Sequence, residues 1–159
     1  MSRQSRREQV VGELMYEMRA HGTANEKFDD AAHEALDLNR TDVRCLDIVE
    51  REGGRLTAGA LAELSGLTTA AITGILDRLE AKGYARRVRD VSDRRRVFVE
   101  LTPLAGERTG RIWGPLARKA EGILAKLSVE DLELMRDWFR AGRELNEREI
   151  ERVKKLSFE

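Results

Sequence analysis

The chain has 159 residues, of which 29 are Lys or Arg and 29 are Asp or Glu, so its formal charge at neutral pH is zero. That length allows one compact domain, or a small domain with an oligomerisation arm, and the balanced total argues against a coat that adheres to any nucleic acid. One cysteine and two histidines exclude an intramolecular disulfide and a multi-cysteine zinc site, and no apolar run approaches the roughly 20 residues of a membrane span.

The opening Met-Ser-Arg-Gln-Ser-Arg-Arg-Glu has no apolar stretch after its arginines and is not a secretory signal, so a soluble cytoplasmic protein is expected. Prolines are few, and apolar residues recur mostly at steps of three and four. This predicts a mainly α chain with a small β-hairpin. Val11, Leu14, Met15, Met18, His21, Phe28, Ala31, Ala32, Ala35 and Leu38 form one stripe on a first helix over 5–38, mildly kinked at Gly22-Thr23. Thr41-Asp42 reads as the N-cap pair of a second helix that carries Val43, Leu46, Ile48 and Val49 to Arg51, where Gly53-Gly54 stops it.

Residues 56–65, Gly66-Leu67 and 68–82 then read as two helices around a tight turn. Thr57 and Thr68 are the caps, and Gly66 supplies a left-handed residue. Ile72, Ile75, Leu76 and Leu79 are the buried face of the fourth helix, and Gly83 ends it. Strands over 84–89 and 97–101 follow, with Val97, Val99 and Leu101 pointing inward. Thr102-Pro103 restarts helix over 104–127. Ser128-Val129-Glu130-Asp131 resembles a capping box, opening a last helix that carries Leu132, Leu134, Met135, Trp138 and Phe139 and extends through Ile150 and Val153.

Two features point to duplex DNA. A step of 100° per residue turns Ala70, Thr73, Gly74, Asp77 and Ala81 away from the buried face of the fourth helix, with Thr69 and Arg78 on the flanks. Small residues in the first half of that face let a helix backbone approach base edges in a major groove. Thr69 and Thr73 can hydrogen-bond bases or phosphate, Ala70 can touch a thymine methyl, and the free N–H groups from Thr68 suit a phosphate. Asp77 would repel phosphate unless an arginine such as Arg78 pairs with it. The second feature is the strand connection, whose Asp93, Arg94, Arg95 and Arg96 form an arginine-rich tip. An arginine there can enter a narrow minor groove while Asp93 sets its direction. Between 78 and 96 eight bases face three acids, so the basic footprint is local. Electrostatics alone would bind any sequence; specificity has to come from the helix.

The segments Leu-Asn-Arg-Thr-Asp-Val-Arg-Cys-Leu-Asp at 38–47, Leu-Thr-Ala-Gly-Ala-Leu-Ala-Glu-Leu-Ser-Gly-Leu-Thr at 56–68, Ile-Leu-Asp-Arg-Leu-Glu-Ala-Lys-Gly-Tyr at 75–84 and Asp-Arg-Arg-Arg-Val-Phe-Val-Glu-Leu-Thr at 93–102 resemble the multiple-antibiotic-resistance regulator (MarR) family of winged helix-turn-helix transcription factors. The resemblance is strongest over 38–107; the outer segments match only in helical layout. It implies a homodimer whose first and last helices interleave beneath two winged lobes. Arg95 would then be the minor-groove residue, Asp93 its orienter, and the helix from Thr68 the major-groove reader on a near-palindromic operator. It also implies repression relieved by a small, often aromatic, ligand between lobe and dimer region. No effector residue is assigned: Trp113, Trp138 and Phe139 are read as dimer core ahead of the wall of an aromatic site. The chain lacks the N-terminal-helix cysteine of peroxide-sensing members, and Cys45 is read as a core thiol. His21 and His33 are read as packing residues, so neither a metal nor a cofactor is expected.

The division expected is 1–38 as a dimerisation helix, 39–102 as the DNA-binding lobe and 103–159 as C-terminal dimerisation helices. An enzyme would need a nucleophile-base pair, a carboxylate cleft or a phosphate loop, and the sequence offers none of these. The competing reading is a winged-helix module that binds protein or RNA without ligand control. Such a module has no need of Asp93-Arg94-Arg95 beside a small-faced helix.

Overall fold

A computed structural model describes residues 3–90 and 96–157. The chain falls into two compact units, 1–112 and 113–159. Among the described residues no single helix is long and apolar enough to cross a membrane.

The first unit opens with helix α1 (Arg3–Leu36), which stops short of the expected 38. Asp37 takes φ 54°, a left-handed conformation, and Leu38 N–H returns to His33 O at 3.0 Å. These bonds satisfy carbonyls that the last helical turn leaves open. Only the C-terminal end of the stripe is covered: Ala32 is buried, as is Leu38 just beyond the helix, together with Leu36, which the stripe did not include. Ala31, Ala35 and His21 are exposed instead, and His21 lies 3.2 Å from the Asn25 amide.

Helix α2 (Arg40–Arg51) is capped by Asn39, not by Thr41-Asp42: the Asn39 side chain accepts from Asp42 N–H at 2.9 Å. Asp42 therefore stands inside the first turn, where the helix dipole favours a carboxylate, and its side chain is free to reach another helix. Cys45 is fully buried on this helix. Burial foremost, then the Asp42 charge, pushes its thiol pKa above the ordinary value.

A strand precedes the next helix. Strand β1 (Arg55–Thr57) takes residues assigned from the sequence to the start of a helix, because three residues are too few to display an alternation. Helix α3 (Ala58–Ser65) is capped by Thr57 and closed by Gly66 at φ 69°. Helix α4 (Thr69–Ala81) follows, with Thr68 as its cap and Gly83 at φ 75° in the turn beyond. Strands β2 (Ala85–Arg89) and β3 (Val97–Leu101) complete an antiparallel sheet in the order β1-β3-β2, so the expected hairpin is part of a three-stranded sheet. Leu56 and Arg87 both pair with Val99, which is buried; Val97 and Leu101 are half-buried. Arg55 and Arg86 stand opposite Glu100 from either side, and both guanidinium groups bond its carboxylate, at 3.2 and 2.8 Å.

Helix α5 (Pro103–Leu124) starts as expected, with Thr102 Oγ1 accepting from Ala105 N–H. The buried side chains, among them Leu36, Val49, Leu61, Ile72, Leu76, Leu79, Tyr84 and Val99, make one core shared by α1, α2, α3, α4 and the sheet. Full burial of such side chains contributes about 1.5–3 kcal/mol each, enough to hold α4 as a rigid element.

In the second unit, helix α6 (Val129–Val153) opens with the expected capping box: Ser128 Oγ accepts from Asp131 N–H, and Asp131 accepts from Ser128 N–H. No residue of α6 is buried. Trp138 and Phe139 pack edge to face with centroids 5.0 Å apart, yet both stay exposed, as do Leu134, Met135, Leu145, Ile150 and Val153.

Candidate nucleic-acid interface

The face expected to read DNA is open. Thr68, Thr69, Ala70, Thr73, Asp77, Arg78 and Ala81 are exposed and Gly74 is half-buried, while Ile72, Ile75, Leu76 and Leu79 face the core. Thr68 Oγ1 accepts from Ala71 N–H at 3.2 Å, which uses one of the N-terminal donors. Thr73 differs from its expected role in one respect: its hydroxyl donates to Thr69 O at 3.0 Å, so it can meet a base or phosphate only as an acceptor.

Charged side chains brace the helix from two sides. From α2, Asp42 accepts two bonds from Arg78, at 2.6 Å from the terminal nitrogen and 3.1 Å from Nε. Asp42 is buried while Arg78 is about half exposed, so the acid sits inside and the guanidinium lies at the surface. Donating to the Asp42 carboxylate holds Arg78 protonated above its ordinary range, against a smaller cost of desolvation. From β2, Arg87 donates to Glu80, to Thr73 O at 2.9 Å and to Asp77 at 2.7 Å. Burial works against the Arg87 charge, but the bonds to Asp77 and Glu80 outweigh it. Asp77 is thus paired with an arginine, as the sequence reading required, but the partner is Arg87 of β2 in place of Arg78.

Arg87 and Asp42 are the residues that reading the sequence missed. Asp42 carried a signal, a carboxylate in a first helical turn, but the same signal fits a cap. Arg87 carried one in its register, since Arg86 is exposed on the strand and Arg87 is turned inward.

A shallow cavity of about 460 Å³ adjoins the face, bounded by Asn39, Arg40 and Thr41 at the start of α2 and by Ala70, Gly74 and Arg78 on α4. Small residues line this hollow, and a Cβ at Gly74 would meet the Arg78 guanidinium at an ordinary contact distance of 3.8 Å. At the far end of the sheet, Asp90 N–H donates to Arg96 O at 3.0 Å, closing the base of the strand connection. Arg96 lies 5.4 Å from the Phe98 ring centre. The expected tip residues Asp93, Arg94 and Arg95 lie outside the described residues.

Comparison with known proteins gives a consistent answer. The MarR family profile matches residues 36–96. Over 154 residues the chain is 32% identical to the uncharacterized HTH-type transcriptional regulator YcgE of Bacillus subtilis, covering 97% of this chain and 99% of the relative. The fold is similar to that of Staphylococcus aureus MepR solved in complex with DNA, at TM-score 0.61 and 20% identity over 82% of this chain and 97% of that one. It is also similar to NadR solved with 4-hydroxyphenylacetate, at TM-score 0.59 and 24% identity over 80% and 89% of the two chains.

Proposed function

Because the chain belongs to the MarR family of winged-helix transcriptional regulators, we propose that it acts as a homodimer that binds a near-palindromic operator and represses transcription until a small effector releases it. The observation that carries this reading is the exposed, small-residue start of α4. Thr69, Ala70 and Gly74 put little between the helix backbone and a base edge, and Asp42 and Arg87 brace the helix from α2 and β2. In this reading Thr68, Thr69, Ala70, Thr73, Gly74 and Arg78 face the major groove. Asp93, Arg94 and Arg95 carry the wing into the flanking minor groove, with Arg95 inserted and Asp93 orienting it.

The division into 1–38, 39–102 and 103–159 belongs to the same proposal. What supports it is the apolar surface left open on the outer helices: Val10, Val11, Leu14 and Met15 on α1, and Leu134, Trp138, Phe139 and Ile150 on α6. Open apolar surface of this extent marks an interaction site, and a second copy of the chain is the occupant proposed. The effector is proposed as a small aromatic molecule, by analogy with the 4-hydroxyphenylacetate held by NadR. A regulator of this type works where the chromosome lies, in the cytoplasm.

The test is a fluorescence anisotropy titration against the DNA upstream of the chain's own gene, with a scrambled duplex as competitor at near-physiological salt. Binding that survives the competitor, and that Arg95→Ala weakens, is the expected result. Equal, weak binding to both duplexes places the operator elsewhere than upstream of the chain's own gene, and a selection of genomic fragments that enriches none refutes the reading altogether.

A further inference from the structure

Three residues after α4 ends, Tyr84 is fully buried and its hydroxyl uses both of its hydrogen-bonding roles. It donates to Leu36 O at 2.9 Å and accepts from the Arg108 guanidinium at 2.8 Å. Leu36 is the last residue of α1, so its carbonyl has no partner within its own helix. Arg108 belongs to α5 and also lies 5.4 Å from the Tyr84 ring centre. Two neighbours repeat the pattern. Lys82 Nζ bonds the Asp37 carbonyl and, at 2.6 Å, its carboxylate, at the left-handed residue that closes α1. Thr102 Oγ1, at the start of α5, donates to Gly83 O at 2.6 Å.

A phenylalanine would fill the same space without needing partners, so the hydroxyl contributes connection more than burial. The segment 82–84 thus ties the C-terminal end of the recognition helix to both helices that leave the lobe. We propose that Tyr84 is a positioning residue for DNA recognition: it fixes the angle of α4 relative to α1 and α5, and so the spacing at which a dimer presents its two recognition helices. The proposal rests on the dimeric DNA-binding reading and names the joint that sets its geometry.

The consequence is a dependence on half-site spacing. Each inserted base pair turns one half-site by about 35° and shifts it by about 3.4 Å, so a rigid joint tolerates one spacing and a loose joint several. The experiment takes a duplex selected from a random pool by the wild-type protein and remakes it with one or two base pairs added or removed at its centre. Affinities are then measured for wild type, Tyr84→Phe and Arg108→Met. Arg108→Met removes the second tie from an exposed position, and decides the matter if Tyr84→Phe folds poorly. The expected result is a sharp optimum for wild type and a flattened profile for the variants. The ratio between best and next-best spacing should fall about threefold to tenfold, the scale of one net hydrogen bond. Variants that lose affinity equally at every spacing, or keep the wild-type profile, overturn the proposal alone. A wild type that selects no sequence overturns the DNA-binding reading and the proposal together.

Discussion

Truncating Asp42 and truncating Arg78 remove the same two hydrogen bonds, yet the structure requires different losses of stability. In Arg78→Ala the Asp42 side chain, only 3% exposed, stays inside without its two donors. An unpaired buried charge costs about 3–5 kcal/mol. The dipole of α2 offsets about 0.5–1 kcal/mol of that, because Asp42 stands in its first turn. A net loss of about 3 kcal/mol remains. In Asp42→Ala the orphan is the Arg78 guanidinium, whose side chain is 48% exposed and can return to water. That loss is one charge-assisted pair discounted for solvent screening, about 1–2 kcal/mol. For a chain of this size about 1 kcal/mol moves Tm by roughly 3 °C, so the drops expected are about 9 °C for Arg78→Ala and 3–6 °C for Asp42→Ala. The double variant should be more stable than Arg78→Ala alone. Thermal unfolding by circular dichroism, at one protein concentration because any self-association would make Tm depend on it, measures all four proteins. An Asp42→Ala loss equal to or larger than that of Arg78→Ala would refute the reasoning, since Asp42 would then act by something other than receiving Arg78.

Three further outcomes follow from single positions. Ala70→Glu places a carboxylate on the exposed start of α4 without touching the core; specific DNA affinity should fall at least about tenfold with Tm within about 2 °C of wild type. Gly83→Ala meets φ 75° and the Leu104 side chain at 3.4 Å, so unfolding should show a loss of about 1–2 kcal/mol. Cys45 should resist Ellman's reagent at pH 8 in the folded protein and react at once in denaturant. Because burial raises its folded pKa, stability is intact below the ordinary thiol range and declines as pH climbs through it, where the unfolded chain ionises first. Cys45→Ala should flatten that alkaline decline in a denaturant series.

Legibility in the sequence followed how local each determinant was. Thr57, Gly66, Thr68, Gly83 and the Ser128 box each act within a few residues, and each lies in the structure where its chemistry demands. The open face of α4 was readable because four apolar residues on one helix fix the opposite side. What stayed hidden depends on residues far apart in the chain. Asp42 and Arg78 are separated by 36 positions, and Tyr84 and Leu36 by 48, so no periodicity connects them. Strand β1 exists because β3 offers it an edge, and three residues carry no signal of their own. The outer helices were expected to have an apolar stripe, but sequence alone could not tell a stripe that packs in the lobe from one that stays open. Ala32 and Leu38 do the first; Leu14 and Met15 do the second.

A chain with no net charge can still present a positive surface to DNA, and the ion pairs show how. Pairing leaves the charge total unchanged, so what matters is which partner faces water. Asp42 is 3% exposed and Glu100 18%, while the arginines they bind, Arg78, Arg55 and Arg86, are 48, 51 and 68% exposed. In these pairs the carboxylate lies under the guanidinium, which is fixed by it and turned outward. Asp77, Glu80 and Asp37 run the other way, each more exposed than the partner it binds, Arg87 or Lys82, but Asp77 and Glu80 stand in the C-terminal half of α4, beyond the Ala70–Gly74 approach. A surface built this way pulls on phosphate only over short distances, because each positive group has a negative one a few ångströms beneath it. Binding should therefore depend on docking geometry more than on bulk charge. That fits the proposed role of α4, which Asp42 and Arg87 brace from α2 and β2, and it makes overall neutrality no obstacle to specific recognition.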